Sequence, residues 1–366
     1  MKKPVNLESY KLASADIEVQ GLASVSKAVK ESMVNISRND VRYLVDTYYQ
    51  MQDFRKSLDN QVRSIEQGYD KVDENNESQQ PEALKWIAAS FKNDEKQILK
   101  MLDAYTDSVG IGRWLKDIIG IGPVISAGLL AYFDINKANH ANQFHSYAGL
   151  NDNNNPWLGT KGASALVKEL KELFPDEDPK NISDNVLQEI YNRYRRDIVT
   201  VRRLSQAKDK KNQPLGYVTW DSLQKYLAMP PYNIALKTLC WKIGESFTKV
   251  SGKEESLYGR LYRQRKAYET AKNEAGDYAE YAAKCLAQKN YGKGTDAYKA
   301  YSEGKLPKAH IQQRAQRATV KIFIAHLFDA MYYEKYRKTP PTPYVLQYMG
   351  HQDEILPEID YKDYII

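Results

Sequence analysis

The segment Trp114 to Phe133, WLKDIIGIGPVISAGLLAYF, constrains the fold of this chain more than any other stretch. Leu115 and Ile118 close a first short apolar helix, Gly120 and Gly122 bracket a turn that needs backbone freedom, and Pro123 presets the first turn of a second helix. Ile121 is placed to fill the space between the two. The small residues Ser126, Ala127 and Gly128 let the helices cross closely before Leu129, Leu130 and Phe133 rejoin a core. This is a helix-hairpin-helix pattern. Its amides, from Gly120 and Ile121 through Gly122 to Val124, are expected to face outward at a helix N-terminus, where unsatisfied N–H groups and the positive dipole end suit a phosphate. The plainer reading is an αα-corner that only packs, because glycines also end ordinary helices.

The rest of the sequence reads as helix. From Ser37, an N-cap, Val41, Leu44, Val45, Tyr48, Met51, Phe54 and Leu58 recur every three or four residues. Pro81 is placed to open a second long helix, so residues 37–110 are expected to form a helical hairpin that packs or oligomerises. Leu236, Leu239, Cys240, Ile243 and Phe247 form another stripe, and Ile311, Ala315, Ala318, Ile322, Ala325 and Asp329 mark one face of a long helix ending near Lys338. No convincing run of alternating residues announces strands. The expected class is therefore all-α: a helical bundle with a long N-terminal hairpin and an embedded helix-hairpin-helix element. The expected boundaries are an N-terminal arm at 1–36, the hairpin at 37–110, the helix-hairpin-helix region at 111–162, an insertion with a basic cluster at 163–229, a basic helical domain at 230–338 and a proline-rich tail or strap at 339–366.

Charge is uneven along this frame. The whole chain carries 53 basic and 47 acidic residues, net +6, too mild a surplus to mark a nucleic-acid binder. Residues 1–110 hold 15 basic and 18 acidic residues, whereas residues 191–270 hold 17 and 7. The positive field thus gathers in the C-terminal half. Its candidate phosphate contacts are Lys161, the cluster Arg193, Arg195, Arg196, Arg202 and Arg203 interleaved with tyrosines, Arg260 and Arg263, and the stripe Arg314, Arg317 and Lys321. Solvated surface is the competing reading for each.

Two cysteines outside any CxxC pair argue against a disulfide scaffold or a cysteine-rich zinc site, and no apolar window approaches a membrane span. A cytoplasmic protein without membrane association is expected. His140, His145, His310 and His326 have no HExxH context and read as surface or core residues; Asp176, Glu177 and Asp178 lack the glycine and terminal glutamate of a calcium loop. No metal and no cofactor are expected. The 28 tyrosines read as amphipathic packing residues.

GIGPVISAGLLAYFDI, followed by FHSYAGL at Phe144 to Leu150, resembles the C-terminal domain of the insertion-sequence one-ten, one-sixteen and nine-oh-two transposases, a DEDD-type family guided by a bridge RNA. PPYNIALKTLCWKIGESF, LYGRLYRQRK and RAQRATVKIFIAHLF are similar in kind to that domain's later helices. The resemblance covers Leu115 to Gly162 well and Pro230 to Lys338 more loosely. It implies DNA handling in recombination, by an oligomer, on DNA or a structured RNA. Two departures bear on chemistry. The family's nuclease half, with four acidic metal ligands, has no counterpart in the helical N-terminal region. Where the family carries a catalytic Ser-Gly pair, this chain has Leu158 before Gly159, leaving Thr160 and Ser164 as nearby hydroxyls. The resulting expectation is a transposase-related DNA-binding protein, inactive by itself; a strand-transfer enzyme with a displaced hydroxyl or a partner nuclease, and a helical assembly protein without DNA, are the alternatives.

Overall fold

The computed structural model describes residues 24–67, 82–151, 156–194, 196–342 and 355–365. They divide into two units. The first comprises residues up to Asp134 together with Ile359 onward, and the second runs from Ile135 to Glu358. Among the described residues the protein is all-α apart from one pair of short strands, and no helix is long and apolar enough to cross a membrane.

In the first unit, α1 (Lys27–Ser32) is capped by Ser26 and followed by a 3-10 turn whose Met33 is buried. Part of the expected arm is therefore ordered helix; residues 1–23 lie outside the described residues. α2 (Arg38–Glu66) begins as its sequence requires, the Ser37 side chain accepting from the Asp40 amide. Its partner α3 (Glu82–Asp107) runs antiparallel to it: Phe54 stacks on Phe91 with ring centroids 5.9 Å apart, and Arg55 meets Glu95 at 2.6 Å. Pro81 itself lies outside the described residues. α4 (Gly110–Asp117) and α5 (Pro123–Tyr132) follow. α5 is apolar on all sides because it is surrounded: α2, α3 and α4 each pack against it. The Arg42 guanidinium closes its C-terminal end by donating to the Ala131 carbonyl at 2.8 and 3.0 Å.

Of the strap expected at 339–366, the end from Ile359 onward belongs to this unit, and the part up to Glu358 to the second. The Trp114 indole donates to the Ile359 carbonyl at 2.9 Å and meets Tyr361 edge-on, while Tyr364 bonds Asp117. Residues 343–354 lie outside the described residues.

The second unit contains α6 (Ala141–Tyr147), α7 (Gly159–Leu173), α8 (Asp184–Tyr194), α9 (Ile198–Leu204), β1 (Gln206–Lys208), β2 (Pro214–Val218) and α10 (Trp220–Ala228). α11 (Ile234–Lys249), α12 (Leu257–Glu274), α13 (Ala279–Gln288), α14 (Asp296–Ser302) and α15 (Lys308–Tyr336) complete it. The segment expected to be an insertion is a folded module. Leu166, Val167, Leu170, Ile182, Leu187, Val201 and Leu223 join in one core of their own. The two strands, which sequence patterning did not announce, are antiparallel and belong to this module.

α11, α12 and α15 form a second core, in which Phe247 stacks on Tyr258 at 4.8 Å and both meet Phe323 edge-on. On α15 the buried face is Ile311, Ala315, Thr319, Phe323 and Leu327 with Gln316, Val320 and Ile324 beside it. Ala318, Ile322, Ala325 and Asp329 are only partly buried, so the expected stripe was rotated. A helix packed on two sides has no single apolar line to read.

Candidate nucleic-acid interface

The turn between α4 and α5 has the geometry its glycines and proline imply. The Ile121 amide donates to the Ile118 carbonyl at 2.9 Å, and Gly120 occupies φ +100°, a conformation open to glycine and strained for other residues. Ile121 is 4% exposed, the expected plug. Gly122 is the N-cap of α5, with extended backbone and no side chain capping the helix, and Pro123 fills the first position. The amides of Val124 and Ile125 therefore have no intrahelical acceptor. Gly120 and Gly122 are half-exposed.

Gly122 is instructive because nothing in the fold demands it. Its φ of −106° suits any residue, and a Cβ placed there would meet nothing within 4 Å. By contrast a Cβ on Gly112 would collide with the Thr106 carbonyl, and one on Gly110 with Tyr364. Those two glycines serve packing; Gly122 leaves open space before the exposed end of a helix. Of the charged groups on α4, Lys116 is held by Asp103 and Asp107 at 2.6 and 2.5 Å, Arg113 donates to the Asp107 carbonyl at 2.7 Å, and the exposed Asp117 accepts from the Tyr364 hydroxyl.

The predicted cations of the second unit separate into engaged and exposed groups. Arg196 is buried, its guanidinium donating to the Pro156 carbonyl over the Tyr226 ring, and burial lowers its pKa. It is a structural residue, not a surface phosphate contact. Arg193 is bound by Glu189 at 2.7 Å and Glu169 at 2.9 Å, and Arg202 by Asp184 at 2.6 Å. Arg260 bonds the Glu254 carbonyl and Arg263 the Glu254 carboxylate. Arg203, Lys161 and Arg317 are exposed, Lys321 partly so. Arg195 lies outside the described residues.

Arg314 is drawn inward from its expected stripe. Together with Arg265 and the Tyr278 hydroxyl it holds the carboxylate of Glu269, a wholly buried residue, at 2.7, 2.6 and 2.5 Å respectively. Burial raises the pKa of Glu269, but the hydrogen bonds of Tyr278 and Arg314 and the charges of Arg314 and Arg265 outweigh it and hold the carboxyl below the ordinary range. Sequence spacing placed Arg314 with Arg317 correctly on the helix; only the tertiary partner from α12 could show its use.

Thr160 and Ser164 are exposed on the first turns of α7, and neither hydroxyl has a hydrogen-bond partner among the described residues. The four histidines among the described residues are packing and capping residues. His145 Nε2 donates to the Lys321 carbonyl at 2.9 Å, and burial pushes its pKa down to about 4. His326 joins the Tyr258 hydroxyl to the Ile355 carbonyl, His310 meets the Tyr301 hydroxyl, and His140 caps α6. Among the described residues no three His, Cys, Asp or Glu side chains converge as a metal-ligand set. Glu177 accepts from the Ser183 amide and hydroxyl, stapling its own loop.

The chain matches no family model, no curated protein and no solved structure.

Proposed function

We propose that this protein is a transposase-related DNA-binding protein that grips the sugar-phosphate backbone through the Gly120–Gly122 turn and takes no catalytic part by itself. The observation that carries the reading is Gly122, a glycine without a steric or conformational reason inside the fold, at an uncapped helix start beside open space. A phosphate brought to that space meets the unsatisfied amides of Val124 and Ile125, and a side chain at 122 would stand in its way. Exposed Lys161 and Arg317 supply further positive charge in the second unit. The resemblance of GIGPVISAGLLAYFDI and FHSYAGL to the transposase domain supports the same reading, and Leu158 at the place of that family's catalytic serine favours the inactive form over strand transfer.

The test is binding of the full chain to a labelled 30-base-pair duplex, with Gly122→Ala as the variant. Affinity should fall about tenfold while the melting temperature holds, and wild-type affinity should drop steeply between 50 and 200 mM salt. An unchanged affinity in the variant, or flat salt dependence, overturns the reading.

A specific observation also favours self-assembly through the helical hairpin. Phe54 is 61% exposed, Tyr43 70% and Trp86 44% on α2 and α3, aromatic area of the kind buried between protomers. Phe54→Glu with Trp86→Glu should lower the sedimentation coefficient of the full chain at micromolar concentration; an unchanged value would show the hairpin to be a packing element only.

A further inference from the structure

The module within residues 159–228 has an order of elements that its sequence concealed. α7 is followed by a segment at Ile182 whose amide donates to the Val218 carbonyl at 2.8 Å. α8 ends at Tyr194, three residues intervene, and α9 begins at Ile198, capped by Asp197, whose side chain accepts from the Thr200 amide. The two-stranded hairpin β1–β2 follows directly, and α10 closes the module against α7. This is a helix, a short turn and a helix, with a β-hairpin projecting beside the second helix and a further edge pairing at Ile182.

The second helix is held from beneath and left bare above. Val201 is fully buried in the module core, and the buried Ser205 hydroxyl donates to its carbonyl. Arg202 fixes α9 to the start of α8 by donating to Asp184 and to the Ile182 carbonyl. Its other side carries Val199, 73% exposed, and Arg203 one turn on, while Leu204, 47% exposed, lies at the helix end one turn after Val201. Val199 and Arg203 thus set an apolar and a cationic side chain side by side on the exposed face of one short helix.

The hairpin tip is shaped and charged. Asp209 accepts from the Lys211 and Gln213 amides at 2.9 and 2.8 Å, and Asn212 takes φ +64° to close the turn. The one carboxylate of the tip is thereby spent on its own backbone. Lys208, Lys210 and Lys211 are exposed and have no ion-pair partner among the described residues.

We infer that residues 159–228 are a sequence-reading module for duplex DNA, with α9 entering the major groove and the β1–β2 tip on a flanking phosphate strand. In that groove Arg203 meets the acceptor edge of guanine, and Val199 meets a thymine methyl group. The lysines favour a polyanion over an apolar protein partner. B-form DNA is favoured over duplex RNA, whose deep, narrow major groove excludes a helix. The inference extends the reading of a DNA binder, but on residues separate from the glycine turn, so either can fail alone.

The experiment is selection of the full chain on a pool of random 20-base-pair duplexes at 150 mM salt. A consensus should emerge, bound about 1,000-fold more tightly than random duplex. Val199→Ala with Arg203→Ala should reduce that preference to within about tenfold while binding to random duplex persists. Lys208→Ala, Lys210→Ala and Lys211→Ala together should weaken consensus and random duplex alike and lower the salt slope by about 3. All five residues are exposed, so the melting temperature should not move. Duplex RNA of the selected sequence should not compete. No consensus from the wild-type chain, or the same consensus retained by the α9 variant, overturns the inference. Gly122→Ala distinguishes the two sites: it should lower affinity and leave the consensus intact, and a variant that changes nothing sinks the turn and leaves the module standing.

Discussion

Two glycine-bearing hairpins invite comparison. At residues 118–122, Gly120 turns the chain at φ +100° while Ile118 and Ile121 bury their side chains and α5 is enclosed by three helices. At residues 206–218, Gly216 sits at φ +82° in a strand exposed from Pro214 to Tyr217, and only Val218 reaches a core. The first is fixed by apolar packing that its own sequence advertises. The second is fixed by polar groups at its tip and by one carbonyl at its base, so its sequence shows no alternation. A turn required by local backbone geometry is readable; one held by distant partners is not.

The largest effect that sharpens this contrast is in the module core. Leu223→Ala should cost about 3 kcal/mol, because Leu223 is fully buried; hydrogen exchange should show protection lost within 159–228 and kept in α2 to α5. Equal loss in both regions would mean that the module has no stability of its own. Gly112→Ala should strike the other region, costing about 2 kcal/mol through overpacking against the Thr106 backbone, with exchange rising in α4 and α5.

Acid separates the regions as well. The first unit contains no histidine, whereas His145 lies in the second. Its pKa is lowered to about 4 in the fold from an ordinary 6.5, so the unfolded chain binds the extra proton first and stability falls as pH drops below 6.5. The loss should approach about 2 kcal/mol by pH 5. Denaturant melts of the wild type and of His145→Gln between pH 7 and 5 check this: the variant should show the shallower dependence. Smaller still is the pair within the turn. Gly120→Ala should cost about 1 kcal/mol for its positive φ, and Gly122→Ala under about 0.5 kcal/mol, both read by thermal melting. A comparable cost at Gly122 would mean that packing explains that glycine after all.

What the sequence made legible follows the same division. Ser37 at the start of α2, Pro123 at the start of α5, Ile121 between helices and the antiparallel pair α2 and α3 are all local decisions, and each is found where its residues placed it. Four of the arginines expected to face phosphate are bound within the fold. Arg193, Arg202 and Arg314 are engaged by Glu169, Asp184 and Glu269, residues 24, 18 and 45 positions away, and Arg196 by a backbone carbonyl 40 positions away. No spacing rule reaches those partners. Lys208, Lys210 and Lys211 follow the arginine cluster along the sequence with nothing to mark them as a tip, because Pro214 and Gly216 speak against a strand until Val218 is seen bonded to Ile182.

The discontinuity of the first unit has a consequence for biosynthesis. Trp114 and Gly110 await Ile359, Tyr361 and Tyr364, which leave the ribosome only after the 224 residues of the second unit have been made. At a translation rate of roughly 5–20 residues per second, the indole of Trp114 stays uncovered for about 10 to 45 s. A nascent chain stalled before residue 359 should therefore present that tryptophan to chaperones, although every helix that surrounds α5 has already been synthesised.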